Sequence, residues 1–163
     1  QTVAGVYTAM AEQLSRQRRR QDNALLYSMC PLPAAIIAGG ETTVTLKTAD
    51  GGWTGKGGRN QEIGLAAALQ LQALQLRNVV LASVGTDGTD GPTDAAGAIV
   101  DGGTVDRVEH ANQGSYTAQS ALQHHDAYTF FNSMEELSPI PSSPTTTSTT
   151  ISTAHDETDS DTT

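Results

Sequence analysis

The sequence predicts an α/β protein, an open layered sheet with flanking helices, followed by a disordered tail. Three observations predict it. The glycine loop Gly55-Lys56-Gly57-Gly58 runs straight into Arg59-Asn60-Gln61-Glu62 and an Ala/Leu-rich helical stretch. The run Val79–Val84 is apolar apart from one Ser, as a central parallel strand should be. A second loop, Gly85 to Asp94, follows that run, with Asp87, Asp90 and Asp94 set among glycines. Strand, glycine loop, helix, strand, acidic loop is the layout of an open sheet whose ligands sit beyond the carboxyl ends of the strands.

Taken in order, Val3 to about Gln21 reads as an amphipathic helix. Val3, Val6, Tyr7, Met10 and Leu14 fall on one face at helical spacing. Its end, Arg16 to Arg20, reads either as a localisation or nucleic-acid patch or as a solvated helix end with cations near the negative pole. Ala34–Ala38 reads as a short buried strand and Thr42–Lys47 as a β-branched one, with a turn at Ala49–Gly52. A helix over Gln61–Arg77 carries a small or polar stripe at Gln61, Gly64, Ala68, Gln72 and Gln75 and packs broadly on a sheet. Ala95–Val100 is a strand or a tightly packed helix start. Weak helices over 105–123 flank a turn at Asn112–Ser115, and Asp126–Phe131 is a last core element. From 138 to 163 the chain is rich in Ser and Thr and lacks Lys and Arg, too little apolar surface to offset ordering entropy.

Bulk properties narrow the class. The 163 residues allow one domain plus a tail, and a net charge of −9 argues against a general nucleic-acid or anionic-membrane binder. No apolar run approaches the ~20 residues of a membrane span. The single cysteine, Cys30, has no internal disulfide partner, so a reduced, cytoplasmic setting is expected. The chain opens on Gln1 rather than Met and shows no leader-like start, which suggests a segment upstream.

The glycine loop places backbone N–H groups, Lys56 and Arg59 at a helix N-terminus, a setting suited to a carboxylate or phosphate. It is not a Walker A loop, because Asp50 and Gly57 stand where Gly and Ser/Thr are needed. Nor is it a dinucleotide fingerprint, which needs Gly at Asn60. Asp87, Asp90 and Asp94 suit Mg²⁺ or proton abstraction from a hydroxyl. They equally suit tight turns, with Asp94 capping a following helix. His124-His125-Asp126 reads as a polar edge before a core strand, since adjacent side chains diverge.

Three blocks of the chain, Gly39–Val44, Gly55–Glu62 and Gly85–Ala98, resemble the MOFRL domain, the C-terminal lobe of the two-domain glycerate 2-kinases. His125–Phe131 looks like a variant of a fourth block. The resemblance covers roughly residues 31–137. It implies a helical remnant or linker over 1–30, an α/β lobe over 31–137 and a tail over 138–163.

It further implies ATP-dependent phosphorylation of D-glycerate at its 2-hydroxyl, with ATP and Mg²⁺ in a cleft shared with a larger N-terminal lobe. Carried over by position, Arg59 would bind the substrate carboxylate or the transferring phosphoryl group, with Lys56 in support. The amides of Gly57 and Gly58 would add donors, with Asn60 and Glu41 also at the binding site. Asp87 and Asp90 would order the cleft, a Mg²⁺ shell or a water bridge. The metal's identity stays open. Two departures motivate an alternative, a non-catalytic remnant or interaction module of the same fold. The N-terminal lobe is nearly absent, and Ser143–Thr149 lacks the glycines and Asn of the family's last loop. Ala127 also stands where a hydroxyl residue is usual. A hydroxypyruvate reductase label, carried by some relatives, finds no nicotinamide fingerprint in the chain.

Overall fold

Helix α1 spans Thr2–Gln17 and α2 spans Arg59–Ala73. Strands β1 (Val80–Val84) and β2 (Ala95–Asp101) follow, then α3 (Thr104–Ala111), α4 (Ala118–Gln123), α5 (Ala127–Asn132) and β3 (Ile140–Pro141). The computed structural model describes residues 1–17, 32–44, 55–133 and 140–141. The expectations for Arg18–Arg20, Cys30, Thr45–Lys47, the 49–52 turn and Ser143–Thr149 lie outside them.

The sheet among the described residues has the order β1-β2-β3, both pairings antiparallel. Val80 faces Asp101, Ala82 faces Ile99 and Val84 faces Gly97. The parallel, fully buried reading of Val79–Val84 is therefore wrong. A parallel crossover needs a dozen or more residues, usually with a helix, and Gly85–Asp94 holds no helix. One face of β1 is open: Val80 is 70 % exposed and Val84 45 %, beside Ile99 at 54 %. β2 is the central strand and nearly all buried.

Ala34–Ala38 forms no strand and lies exposed, with Ile37 97 % accessible. Its apolar composition told of burial, but no described strand pairs with it. Within the segment read as tail, Ile140–Pro141 pairs with β2 beside Ala95 and Gly97.

α2 is the central helix. It starts two residues earlier than read, because Gly58 takes an extended conformation (φ −143°, ψ 176°) and frees Arg59 to begin the turn. It stops at Ala73 rather than Arg77. Gln75 turns left-handed (φ 55°), Leu76 N–H reaches Leu71 O at 2.9 Å and Gln75 N–H reaches Gln72 O at 2.9 Å. This is the paired Schellman arrangement, with buried Leu76 folded toward Leu71. Of the small or polar stripe, Gln61, Gly64 and Ala68 face inward, while Gln72 is half-buried and Gln75 exposed. A Cβ on Gly64 would stand 2.9 Å from Ala98 Cβ, so the helix lies close on β2.

α1 docks on α2 through small residues. Ala4 and Thr8 are buried, and the Thr8 hydroxyl bonds Ala4 O at 2.9 Å and meets Gln70 Oε1. The expected Val/Met face is only partly used, since Val6 and Met10 stay exposed. The core gathers Leu65 and Leu71, Ala98 and Val100, Val108, Leu122, and the edge-to-face pair Phe130–Phe131 at 5.8 Å.

Asp101 joins β2 to α3. Its Oδ1 accepts from Gly103 N–H at 2.8 Å, Thr104 Oγ1 at 3.1 Å and Arg107 Nη2 at 3.0 Å. Burial pushes this carboxyl up, but the Gly103 amide, Arg107 and Thr104 outweigh it and hold it below its ordinary 3.8. A lowered carboxylate stabilises the fold above that ordinary value and loses the contribution as pH falls below it. Asp101→Ala is expected to cost about 1 kcal/mol at pH 7, the scale of a lost helix-start acceptor, with the deficit shrinking below roughly pH 4. Urea unfolding at pH 7 and pH 3 checks it; an equal deficit at both would mean the charge does not matter.

Candidate active site

The glycine loop is stitched to the start of α5. Gly55 N–H donates to His124 O at 2.7 Å, Lys56 N–H to Asp126 Oδ1 at 2.7 Å, and Tyr128 N–H to Lys56 O at 2.9 Å. The Lys56 ammonium lies 4.0 Å above the centre of the Tyr128 ring, a cation–π contact. The Tyr128 hydroxyl donates to Asp94 at 2.5 Å, which lowers the Asp94 carboxyl and raises the phenol. Asp94 therefore anchors a tyrosine and precedes β2; it caps no helix.

Asp90 fills the place that an anion would take at the N-terminus of α2. Fully buried, it accepts from Asn60 N–H at 3.0 Å and Asn60 Nδ2 at 3.1 Å on Oδ1. On Oδ2 it accepts from Gln61 N–H at 2.8 Å and Gln61 Nε2 at 3.1 Å. It satisfies two of the orphan amides and sits in the positive end of the helix dipole. Both Asp90 oxygens are thus committed to donors inside the fold. Asn60 is likewise turned inward, its Oδ1 accepting from Ser83 Oγ at 2.8 Å. The glycines around it serve this packing. A Cβ on Gly58 would stand 2.3 Å from Asp90 Cγ, and Gly91, at φ 64°, presses on the Gly57 carbonyl.

Lys56 is exposed, and Arg59 and the loop glycines are half-buried. Arg59, the first residue of α2, holds Nη2 3.9 Å from Glu41 Oε1 and 3.9 Å from Asp87 Oδ2. Both carboxylates are mostly exposed, at 82 % and 61 %, so they hold the guanidinium loosely at the mouth. No described residue accepts from the amides of Gly57, Gly58 or Arg59. The geometry thus brings together Arg59, Glu41, Asp87 and the loop, and turns Asp90 and Asn60 into the fold. Among the described residues no three metal-capable side chains converge, and the Asp90 oxygens are taken by four N–H donors. Of the acidic residues here, only Glu41 and Asp87 would therefore be open to a Mg²⁺ ion held mainly by phosphate oxygens.

The MOFRL family matches residues 34–151. The chain belongs to that family. It is 48 % identical over 96 residues to a D-glycerate 2-kinase of Thermotoga maritima, across 59 % of this chain and 21 % of the relative. It is 43 % identical over 102 residues to a glycerate kinase of Danio rerio, across 62 % of this chain and 19 % of that one. The crystal structure of a Thermotoga maritima glycerate kinase aligns with a TM-score of 0.56 at 35 % identity, covering 80 % of this chain and 28 % of the other. The chain spans about a fifth of the length of these sequence relatives.

In this MOFRL chain the residues that sequence reasoning undervalued are His125 and Asp126. They precede a helix, α5, and not a strand, and they face the glycine loop instead of forming a polar edge. His125 turns left-handed (φ 55°) and its Nδ1 bonds Glu62 on the first turn of α2. Their place in the fourth MOFRL-like block was the available signal. Among the described residues no helix is long and apolar enough to cross a membrane.

Proposed function

We propose that this chain is the C-terminal lobe of a glycerate 2-kinase that transfers a phosphoryl group from ATP to the 2-hydroxyl of D-glycerate. The observation that carries the reading is Arg59. It opens α2 beside loop amides from which no described residue accepts, its charge only loosely engaged by Glu41 and Asp87 among the described residues. Such a cation can exchange its surface partners for a substrate carboxylate or a transferring phosphoryl group. Charge-assisted bonds to either are roughly twice as strong as neutral ones.

Phosphoryl transfer relies on placed positive charge more than on covalent chemistry. Arg59 would orient the anion, the Gly57 and Gly58 amides would donate to it, and Lys56 would add a second cation beside the Tyr128 ring. Mg²⁺ arriving with the nucleotide would neutralise phosphate charge, held mainly by phosphate oxygens. That larger N-terminal lobe completes the cleft, and a cytoplasmic setting belongs to the same proposal. The kinase names of the relatives weigh against the reductase reading.

The test is to join this lobe to the N-terminal portion of a related kinase and measure ADP release with D-glycerate. Release that depends on both the lobe and D-glycerate is expected. No release, together with no titration heat from D-glycerate or Mg-ATP, would instead establish the non-catalytic module.

A further inference from the structure

We propose that Asp126 is a positioning residue of the anion site, setting the direction of the loop amides and of Lys56; this rests on the kinase-lobe reading above. Asp126 stands at the residue before α5, where a carboxylate ordinarily bonds the amides of its own helix. It does not: no such capping bond forms. Its Oδ1 instead accepts from the backbone of Lys56, seventy residues away, at 2.7 Å, and from Thr129 Oγ1 at 2.6 Å. Its Oδ2 accepts from the Tyr116 hydroxyl at 2.8 Å. The side chain is buried, at 3 % exposure.

Burial and the hydrogen bond to Asp126 together raise the Tyr116 phenol. Gly55 is shaped to the same contact, since a Cβ there would stand 2.1 Å from Asp126 Cβ. The Lys56 peptide is thereby gripped from both sides, its N–H by Asp126 and its carbonyl by the Tyr128 amide. The two bonds hold the two successive peptide planes that meet at Lys56 Cα. Asp126 holds the Gly55–Lys56 plane, and the Tyr128 amide holds the Lys56–Gly57 plane, which carries the Gly57 N–H. The stem from which the Lys56 ammonium reaches the Tyr128 ring is set between them. Asp126 touches no reacting atom in this scheme. It acts through the loop.

The experiment compares Asp126→Ala, Asp126→Asn and Gly55→Ala in the kinase assembled with its N-terminal lobe, well below each variant's melting temperature. Amide hydrogen exchange of Lys56 is followed in the same proteins. Asp126→Ala is expected to raise KM for D-glycerate tenfold or more and to speed Lys56 amide exchange at least tenfold. Asp126→Asn keeps an acceptor oxygen and is expected to restore both within about threefold of the native protein. Gly55→Ala leaves Asp126 intact but forces the loop off it, and should reproduce the KM effect even if Asp126→Ala does not fold.

A KM equal to the native value in Asp126→Ala or Gly55→Ala, or a native Lys56 amide that exchanges freely, would overturn the proposal. A native assembly without turnover would sink the kinase reading. Lys56 exchange and inorganic phosphate binding to the loop would then still decide the role of Asp126, supporting it only if the alanine variant loses both.

Discussion

Asp90→Ala is expected to remove about 3–4 kcal/mol of stability and to lower the melting temperature by roughly 10–20 °C. The side chain is fully buried and takes four N–H donors, two from the α2 backbone and two from Asn60 and Gln61. Truncation strands those donors where water cannot easily reach them, at about 1–3 kcal/mol for each group that fails to find a new partner. It also leaves a void beneath Gly58 and withdraws a negative charge from the positive helix end. Asp90→Asn should fall between, because one oxygen survives while the new NH₂ confronts a donor. Thermal unfolding followed by circular dichroism reads both. A loss below 1 kcal/mol for the alanine variant would mean that the loop repacks and that Asp90 is not the pin described.

Arg59→Ala should behave in the opposite way, hurting catalysis and sparing the fold. In the assembled kinase we expect kcat/KM to fall about a hundredfold, the scale of one lost charge-stabilising donor. Stability should change by less than ~1 kcal/mol, because the ion pairs to Glu41 and Asp87 are long and solvent-facing. Arg59→Lys should recover part of the rate, as a point charge without the planar fork. Unchanged steady-state kinetics in the alanine variant would take Arg59 out of the site. Together the two substitutions separate the residue that builds the helix start from the one that uses it.

The glycine loop entering a helix, the break between α3 and α4, and the burial of Phe130 and Phe131 were legible from residue pattern, and β2 as one of two readings. What failed was partner choice. An apolar run such as Val79–Val84 or Ala34–Ala38 states a preference for burial, yet its neighbour and direction are set by chain reach and topology. In β1 the direction was recoverable, since the loop to β2 has no helix to carry a parallel return. In the site, charge and spacing grouped Asp87, Asp90 and Asp94, but three different partners divide their roles. Asp90 takes the α2 amides, Asp94 takes Tyr128, and Asp87 remains with Arg59. Asp126 was hardest to see, because its significance lies in a bond across seventy residues.

The open side of β1 sets apolar exposure against net charge in the separate lobe. Val80, Val84 and Ile99 line an exposed apolar strip, and among the described residues β1 pairs only with β2. Strips of that kind invite strand-to-strand stacking between copies. A net charge of −9 opposes the approach of two copies at neutral pH. That repulsion vanishes near the isoelectric point of about 4.6 and is screened by salt. Turbidity of the separate lobe should therefore climb as acid or salt is added, while far-ultraviolet circular dichroism still reports native helix. A lysine in place of Val80 would keep copies apart by interrupting the strip.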